Sequence, residues 1–216
     1  MTGKNLAEIN GKPLVAFPID VARAASDITR VLVTTDDDQI EAVARSYSAE
    51  IFRHPPVLST ESKPTFPVIK HVVETLISQG YNPDAVVIMR ATSPLTLPED
   101  VSAAIELLEQ TGATSVISVV ADETGHPIRL KLVGPELQLL PLQPGEENAP
   151  IPRQQLPIVY KRNGSLYATK TGIILTGSLF GGDPRAYIMP KERSVSINDE
   201  VDLVIATALI NYLAQK

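Results

Sequence analysis

The sequence predicts an α/β protein with a mostly parallel sheet and helices on both faces. Two observations favour this class. Short β-rich runs alternate with helix-period segments over most of the 216 residues, which is the pattern of strands joined by crossover helices. The length suits one large α/β domain. A chain of this size hides roughly 70% of its unfolded surface when it folds, which is enough to form a sizeable core. We therefore expect one domain over residues 1–216.

The individual elements follow from apolar runs and from the proline, glycine and acidic residues at their ends. Strands are predicted at 31–35, 50–53, 85–89 and 115–119. Helices are predicted at 13–25, 37–46, 98–110 and 199–213, with a further helix after Pro64 and Pro67 that ends near residue 79. Pro18 is expected to kink the first helix. Glu99 and Asp100 favour the dipole at the start of the helix that begins at 98.

Residues 121–160 break this alternation. They hold short alternating strands and a Pro-rich, acidic stretch at 141–150. This composition indicates an insertion and not a second core. We call residues 121–160 the arm.

Composition and charge exclude several classes of function. The net charge is −6, with both signs spread along the chain, which argues against the basic face that nucleic acid needs. The absence of cysteine excludes disulfides, thiol nucleophiles and cysteine-ligated metals. The three histidines are too scattered for a zinc site, no apolar run reaches the roughly 20 residues of a membrane span, and no leader pattern opens the sequence. We expect a cytoplasmic protein that binds neither nucleic acid nor membrane.

Lys4 and Asn5 form the first candidate site. A lysine near the start of the first crossover could neutralise triphosphate charge. The alternative is a solvated surface lysine, which is the usual state of this residue.

The second candidate follows the predicted strand at 85–89. Ligands in such sheets bind beyond the carboxyl ends of strands. Arg90 could pair a carboxylate bidentately, and the hydroxyls of Thr92 and Ser93 could hold a carboxylate or a sugar hydroxyl. The alternative is a Thr/Ser turn that caps the next helix.

A third candidate combines the segment that begins at Arg153 and Gln154 with the segment from Tyr160 to Tyr167. Two aromatic and three basic residues in this stretch favour an anionic pocket. The pair Asn163-Gly164 is equally typical of a hairpin turn.

Two acidic groups could bind a metal ion. Asp36 and Asp37 follow a predicted strand, and Asn198, Asp199 and Asp202 lie at the start of the last predicted helix. Their oxygen atoms suit Mg²⁺. The alternative in both places is a helix N-cap with acidic first-turn residues.

In order along the chain, these motifs resemble those of acylneuraminate cytidylyltransferases, also called CMP-sialic acid synthetases. Members carry K-N, G-x-P-L, S-T-D, T-S-P-L, R-Q-x-L-P, N-G-x-x-Y and a closing S-x-D-I-D. The residues here are Lys4-Asn5, Gly11-Lys-Pro-Leu14, Thr34-Thr-Asp36, Thr92-Ser-Pro-Leu95, Arg153-Gln-Gln-Leu-Pro157, Asn163-Gly-Ser-Leu-Tyr167 and Ser194-Val-Ser-Ile-Asn198. The combination is specific and argues against the related 3-deoxy-manno-octulosonate cytidylyltransferases.

The resemblance implies a homodimer with a Rossmann-like sheet of the nucleotide-diphospho-sugar transferase type. It also implies transfer of CMP from CTP to a nonulosonic (sialic-type) sugar acid, with Mg²⁺ and with release of pyrophosphate. The implied roles, by motif position, are as follows: Lys4, Asn5 and Thr65 at the nucleotide; Arg90, Thr92, Ser93, Asn163 and Tyr167 at the sugar acid; Arg153 and Gln154 at the sugar acid from a dimerisation arm; Lys4 and Arg153 in catalysis; Asn198, Asp199 and Asp202 at the metal.

The sequence departs from the family at three points. The family's opening strand and R-x-G-S-K-type phosphate loop do not precede Lys4, and one hypothesis is that Met1 is an internal methionine. Ser196 and Asn198 replace the metal-binding aspartates. Arg90 replaces a glutamine and Thr96 an arginine, which indicates a different nonulosonic acid, such as legionaminic or pseudaminic acid. The alternative function is a non-catalytic domain of the same fold that binds sugar or dimerises.

Overall fold

The computed structural model describes residues 3–55, 58, 66–145 and 150–215. Ten strands lie in the described residues: β1 (Glu8–Ile9), β2 (Lys12–Pro13), β3 (Leu32–Thr35), β4 (Glu50–Arg53), β5 (Ala85–Met89), β6 (Ser115–Ala121), β7 (Lys131–Val133), β8 (Leu139–Pro141), β9 (Tyr160–Lys170) and β10 (Pro184–Ile188). The α-helices among them are α1 (Ala16–Ala24), α2 (Asp38–Ser46), α3 (Phe66–Ser78), α4 (Pro98–Thr111), α5 (Thr171–Leu175) and α6 (Glu200–Leu213).

The largest sheet has four strands in the order β10-β6-β9-β5. Strands β10 and β6 pair in parallel, and β9 is antiparallel to both β6 and β5. Three of the four strands therefore run in one direction. Strands β3 and β4 form a separate parallel pair. The predicted α/β class is confirmed, with one antiparallel strand inside the larger sheet.

Helices cover both faces of this sheet. On one face, Val101 and Leu108 of α4 pack with Leu166 of β9 in a fully buried cluster. On the other face, Ile69 and Val73 of α3 pack with residues of α5 and β5. Burial on both faces explains why β5 is apolar at every position and does not alternate.

One edge of β5 and one edge of β3 have no strand partner in the described residues. All five residues of β5 are only half-buried although helices cover both faces, because the edge itself is open. Helix α1 contacts both sheets: Ile19 packs in the cluster that holds Val33 and Ile51, and Val21 packs against the cluster of the larger sheet. These open edges do not test the prediction that the family's opening strand is missing before Lys4.

Several predicted boundaries need correction. The first helix begins at Ala16 and not at Pro13, because Lys12 and Pro13 pair with β1. Pro18 consequently lies in the first helical turn, where its missing N–H breaks no helical hydrogen bond. The other predicted strands and helices are confirmed to within a few residues at their ends.

Strand β9 was missed by the sequence analysis, and so were α5 and β10. The hairpin interpretation of Asn163-Gly164 is wrong, since both residues lie inside β9. The pairing register of β6 with β9 shifts between Ile117 and Val119. Gly164 has φ of +80°, which glycine adopts without strain. The dipeptide therefore forms a bulge and not a turn.

The arm carries the antiparallel hairpin of β7 and β8 and a 3-10 turn at Arg153–Gln155. Every residue of both hairpin strands is exposed. No helix of the described residues combines the length and the apolar composition that crossing a membrane requires.

Replacing Leu166 by alanine tests the core. Leu166 is fully buried between β9 and α4, so we expect Leu166→Ala to lower the free energy of unfolding by about 3 kcal/mol in urea denaturation. Val201→Ala is the control, because Val201 is 66% exposed, and it should change this free energy by less than about 0.5 kcal/mol. Equal effects of the two substitutions would contradict the described packing.

Candidate active site

The candidate site lies at the carboxyl end of β5, beside the bulge of β9. Met89 of β5 pairs with Leu166 of β9, so Arg90 comes next to the bulge. The Arg90 guanidinium lies over the Tyr167 ring, 5.7 Å from its centroid. A Cβ at Gly164 would lie 3.9 Å from the Arg90 side chain. The structure thus brings together Arg90 and Tyr167, two residues predicted to meet a sugar acid.

Arg90 offers an unneutralised positive charge. It is exposed, and no carboxylate in the described part of the chain forms an ion pair with it. A guanidinium over an aromatic ring keeps its planar donors free for an anion. This arrangement suits a carboxylate ligand.

The turn after Arg90 is held by backbone hydrogen bonds. The Ser93 N–H donates to the Arg90 carbonyl at 3.1 Å, and the Ile197 N–H donates to the Thr92 carbonyl at 2.8 Å. The Ser93 hydroxyl is buried and has no hydrogen-bond partner among the described residues. The cap interpretation of Thr92 and Ser93 is wrong, because the N-cap of α4 is Leu97.

Asn163 is buried, and its side chain is fully engaged. Its Oδ1 accepts from the Ser118 hydroxyl at 2.6 Å and from the Ser165 N–H at 3.2 Å. Its Nδ2 donates to the Ser194 hydroxyl at 3.0 Å and to the Met189 sulfur at 3.2 Å. These bonds use two donors and two acceptor positions of the amide. Asn163 therefore fixes the bulge in this structure.

Residues 189–198, which we call the strap, connect β10 to the start of α6. The strap contacts both sides of the site through the bonds to Thr92 and Asn163 just described. Ile197 is fully buried with Ile9 and Leu14, which anchors the strap to the first segment of the chain. Only Ser194 to Asn198 of this segment stood out in the sequence, because the strap's contacts come from residues that are distant along the chain, such as Asn163 and Thr92.

The predicted metal residues lie where the strap meets α6. Asp199 is the N-cap and accepts from the Asp202 N–H at 2.9 Å, and Asp202 accepts from the Asn198 N–H at 2.8 Å. The N-cap interpretation is confirmed here, and likewise for Asp37, which caps α2. The described residues contain no group of three or more acidic or histidine side chains arranged for a metal. One oxygen of each carboxylate remains outside the capping bonds, so Mg²⁺ binding by Asn198, Asp199 and Asp202 stays a prediction.

Lys4 and Asn5 lie in a 3-10 turn that includes Leu6. The Asn5 carbonyl accepts from the Val15 N–H at 2.9 Å. Leu6 packs against the same cluster as Ala91, the residue after Arg90. The turn is thereby tied to the segment at the carboxyl end of β5. Thr65, the third predicted nucleotide residue, lies outside the described residues.

Arg153 and Gln154 lie in the 3-10 turn of the arm. Arg153 pairs with Glu123 at 2.7 Å and lines a cavity of about 170 Å³ at the base of the arm, together with Asp122 and His126. Backbone N–H groups of Gly125 and Thr124, with Lys161 nearby, lower the pKa of Asp122 to about 2. The base of the arm is therefore an ordered turn around a carboxylate.

Comparison with known proteins agrees with this geometry. A family model described as Cytidylyltransferase matches residues 1–165. An N-acylneuraminate cytidylyltransferase of Oncorhynchus mykiss is 32% identical over 207 residues, 94% of this chain and 45% of the relative. A CMP-N,N'-diacetyllegionaminic acid synthase of Legionella pneumophila is 31% identical over 233 residues, 100% of this chain and 90% of the relative.

The fold has solved counterparts. A CMP:2-keto-3-deoxy-manno-octonic acid synthetase complexed with CTP superposes with a TM-score of 0.72 at 16% identity, covering 98% of this chain and 93% of that one. The chain therefore has the α/β fold of that synthetase. The chain belongs to the cytidylyltransferase family. It spans about half the length of the first N-acylneuraminate cytidylyltransferases that it matches.

Replacing Asn163 by alanine tests its role in the bulge. Asn163→Ala leaves the Ser165 N–H without its buried acceptor, while the Ser118 hydroxyl keeps the Leu166 carbonyl at 3.0 Å. We therefore expect a loss of roughly 2 kcal/mol in the free energy of unfolding. The control is Asn211→Ala, because Asn211 is exposed and its side chain accepts a hydrogen bond from the equally exposed Asn10 side chain. Denaturation in urea measures both. An unchanged free energy for Asn163→Ala would show that the four bonds do not hold the bulge.

Proposed function

We propose that this chain transfers CMP from CTP to a nonulosonic sugar acid. The anomeric hydroxyl of the acid attacks the α-phosphorus of CTP, a new P–O bond forms, and the bond to the leaving pyrophosphate breaks. The observation that carries the proposal is the unneutralised Arg90 over Tyr167 at the carboxyl end of β5, in a member of the cytidylyltransferase family.

The sugar acid would occupy the space between β5 and the strap. In this proposal the Arg90 guanidinium binds the carboxylate, and the hydroxyls of Thr92 and Ser93 bind sugar oxygens. Tyr167 forms the wall beneath Arg90. Asn163 acts by holding the bulge, because its own donors and acceptors are engaged.

The nucleotide would bind at the turn of Lys4 and Asn5, with Thr65 as a further contact. Lys4 and Arg153 would neutralise charge that develops on the phosphates, which is the main requirement of such a transfer. Asn198, Asp199 and Asp202 would hold Mg²⁺, which when bound neutralises triphosphate charge. The proposed location is the cytoplasm, which supplies CTP.

We also propose that the arm joins two copies in a homodimer. The exposed fractions of Leu137, Leu139 and Ile158 are 82%, 71% and 73%. Several apolar side chains this exposed on one arm favour an interaction surface. Arg153 and Gln154 lie on the same arm, so a second copy would bring them to its partner's site.

The direct test is pyrophosphate release by the chain with CTP and Mg²⁺. We expect release that depends on N-acetylneuraminate or N,N'-diacetyllegionaminate. The methyl glycoside of the active acid is the control, and it should release none because it lacks the anomeric hydroxyl. Absence of release with both acids, or release that ignores the glycoside block, would contradict the proposal.

Replacing Arg90 tests recognition of the carboxylate. Loss of a charge-assisted hydrogen bond costs about 1.5–3 kcal/mol, so Arg90→Ala should raise the KM for the sugar acid about 10–100-fold, with the KM for CTP within about twofold. Arg90→Lys should retain part of the binding. Arg30→Ala is the matched control, since Arg30 also lies over a tyrosine ring, at 5.0 Å, but at the amino end of β3. A sugar-acid KM unchanged in Arg90→Ala would exclude Arg90 as the carboxylate ligand.

A further inference from the structure

Asp100 is a buried carboxylate, 1% exposed, in the first turn of α4. It accepts from the Leu97 N–H at 2.8 Å and from the Tyr187 hydroxyl at 2.9 Å. Arg193 of the strap completes the set with an ion pair. A buried carboxylate is strongly unfavourable without such partners, and here every partner comes from a different segment: the turn before α4, strand β10, and the strap.

Tyr187 remains a donor to Asp100 over a wide pH range. Burial, and then the adjacent Asp100, raise the pKa of Tyr187 to about 12. The phenol is therefore protonated at neutral pH, and the hydrogen bond to the carboxylate persists.

The ion pair sets the position of the strap between two parts of the candidate site. One residue beyond Arg193, the Ser194 hydroxyl accepts a hydrogen bond from the Asn163 amide. Four residues beyond Arg193, the Ile197 N–H bonds to the Thr92 carbonyl. A shift of Arg193 would consequently move the supports of the β9 bulge and of the turn after β5 together.

Stability alone does not account for this pair. An apolar pair of similar volume is commonly as stable as a buried ion pair, or more stable. What the ion pair adds is a defined geometry, because guanidinium and carboxylate bond only in restricted orientations. Sites that bind charged ligands depend on such fixed supports, and small displacements weaken binding.

We propose that Asp100 and Arg193 are positioning residues for the sugar-acid side of the site. They act through the strap on Thr92 and Asn163 and do not touch the substrate. The inference rests on the proposed function, since it names the residues that set the geometry of the same site.

Calorimetry on the full chain tests this inference with N-acetylneuraminate, N,N'-diacetyllegionaminate and CTP–Mg²⁺ as probes. We expect Arg193→Met to weaken binding of the preferred acid about tenfold and to leave the Kd for CTP–Mg²⁺ within twofold. Arg193→Lys restores a cation and should bring the acid Kd back to within about threefold. A purely structural role would weaken both ligands or neither. Arg185→Met is the control, because Arg185 pairs with Asp183 at the opposite end of β10.

A second variant covers the case in which Arg193→Met does not fold. The double substitution Asp100→Asn/Arg193→Met removes both charges and leaves a side-chain acceptor for the Leu97 N–H, so no unpaired charge is buried. It should give the same selective loss of acid binding. Unchanged acid binding in the folded variants, with normal binding in the wild type, would overturn the positioning role alone. A wild-type chain that takes up neither acid would overturn the proposed function as well.

Discussion

The site depends on β9, an antiparallel strand held between two strands that run the other way. Its register with β5 places Tyr167 beside Ile88 and Leu166 beside Met89, so Arg90 meets the Tyr167 ring directly after β5 ends. Its other edge pairs with β6, where the register shift leaves Asn163 buried next to Ser118. A bulge redirects a strand locally, and here it turns β9 out of the core at the level where ligands bind in this class of sheet.

Long-range hydrogen bonds convert this pairing into a fixed site. The strap accepts a hydrogen bond from the Asn163 amide and donates one to the Thr92 carbonyl. An ion pair between Arg193 of the strap and the buried Asp100 fixes the strap to α4. Arg90, which immediately precedes this supported turn, has no acidic partner in the described part of the chain. The structure thus places a free positive charge on a rigid support, which is the arrangement that favours tight recognition of an anion.

Much of this could be predicted from the sequence, where the signal is local. Apolar runs identified β5 and β6, and acidic residues identified the caps Asp37 and Asp199. Strand β9 was not predicted because Asn163-Gly164 is typical of a turn, and only pairing on both sides shows otherwise. The role of Asp100 was missed for a similar reason. Its first-turn position is a sufficient local explanation, whereas its partners Tyr187 and Arg193 lie some 90 positions away.

The proposed role of the arm depends on the proposed dimer. Arg153 lies with Glu123 at the base of the arm, and in the proposal a second copy brings it to its partner's site. Leu6, in the turn of Lys4 and Asn5, shares an apolar cluster with Val33 of β3 and with Ala91, which follows Arg90. This cluster links the proposed nucleotide side of the site to the Arg90 side.

The measurement that tests the central claim most directly is a phosphorus NMR spectrum of CTP incubated with the chain, Mg²⁺ and N-acetylneuraminate or N,N'-diacetyllegionaminate. We expect the three CTP resonances to give way to one phosphodiester resonance and to pyrophosphate, because the acid's hydroxyl displaces pyrophosphate from the α-phosphorus. Unchanged CTP with both acids, or CMP and pyrophosphate without a phosphodiester, would contradict it.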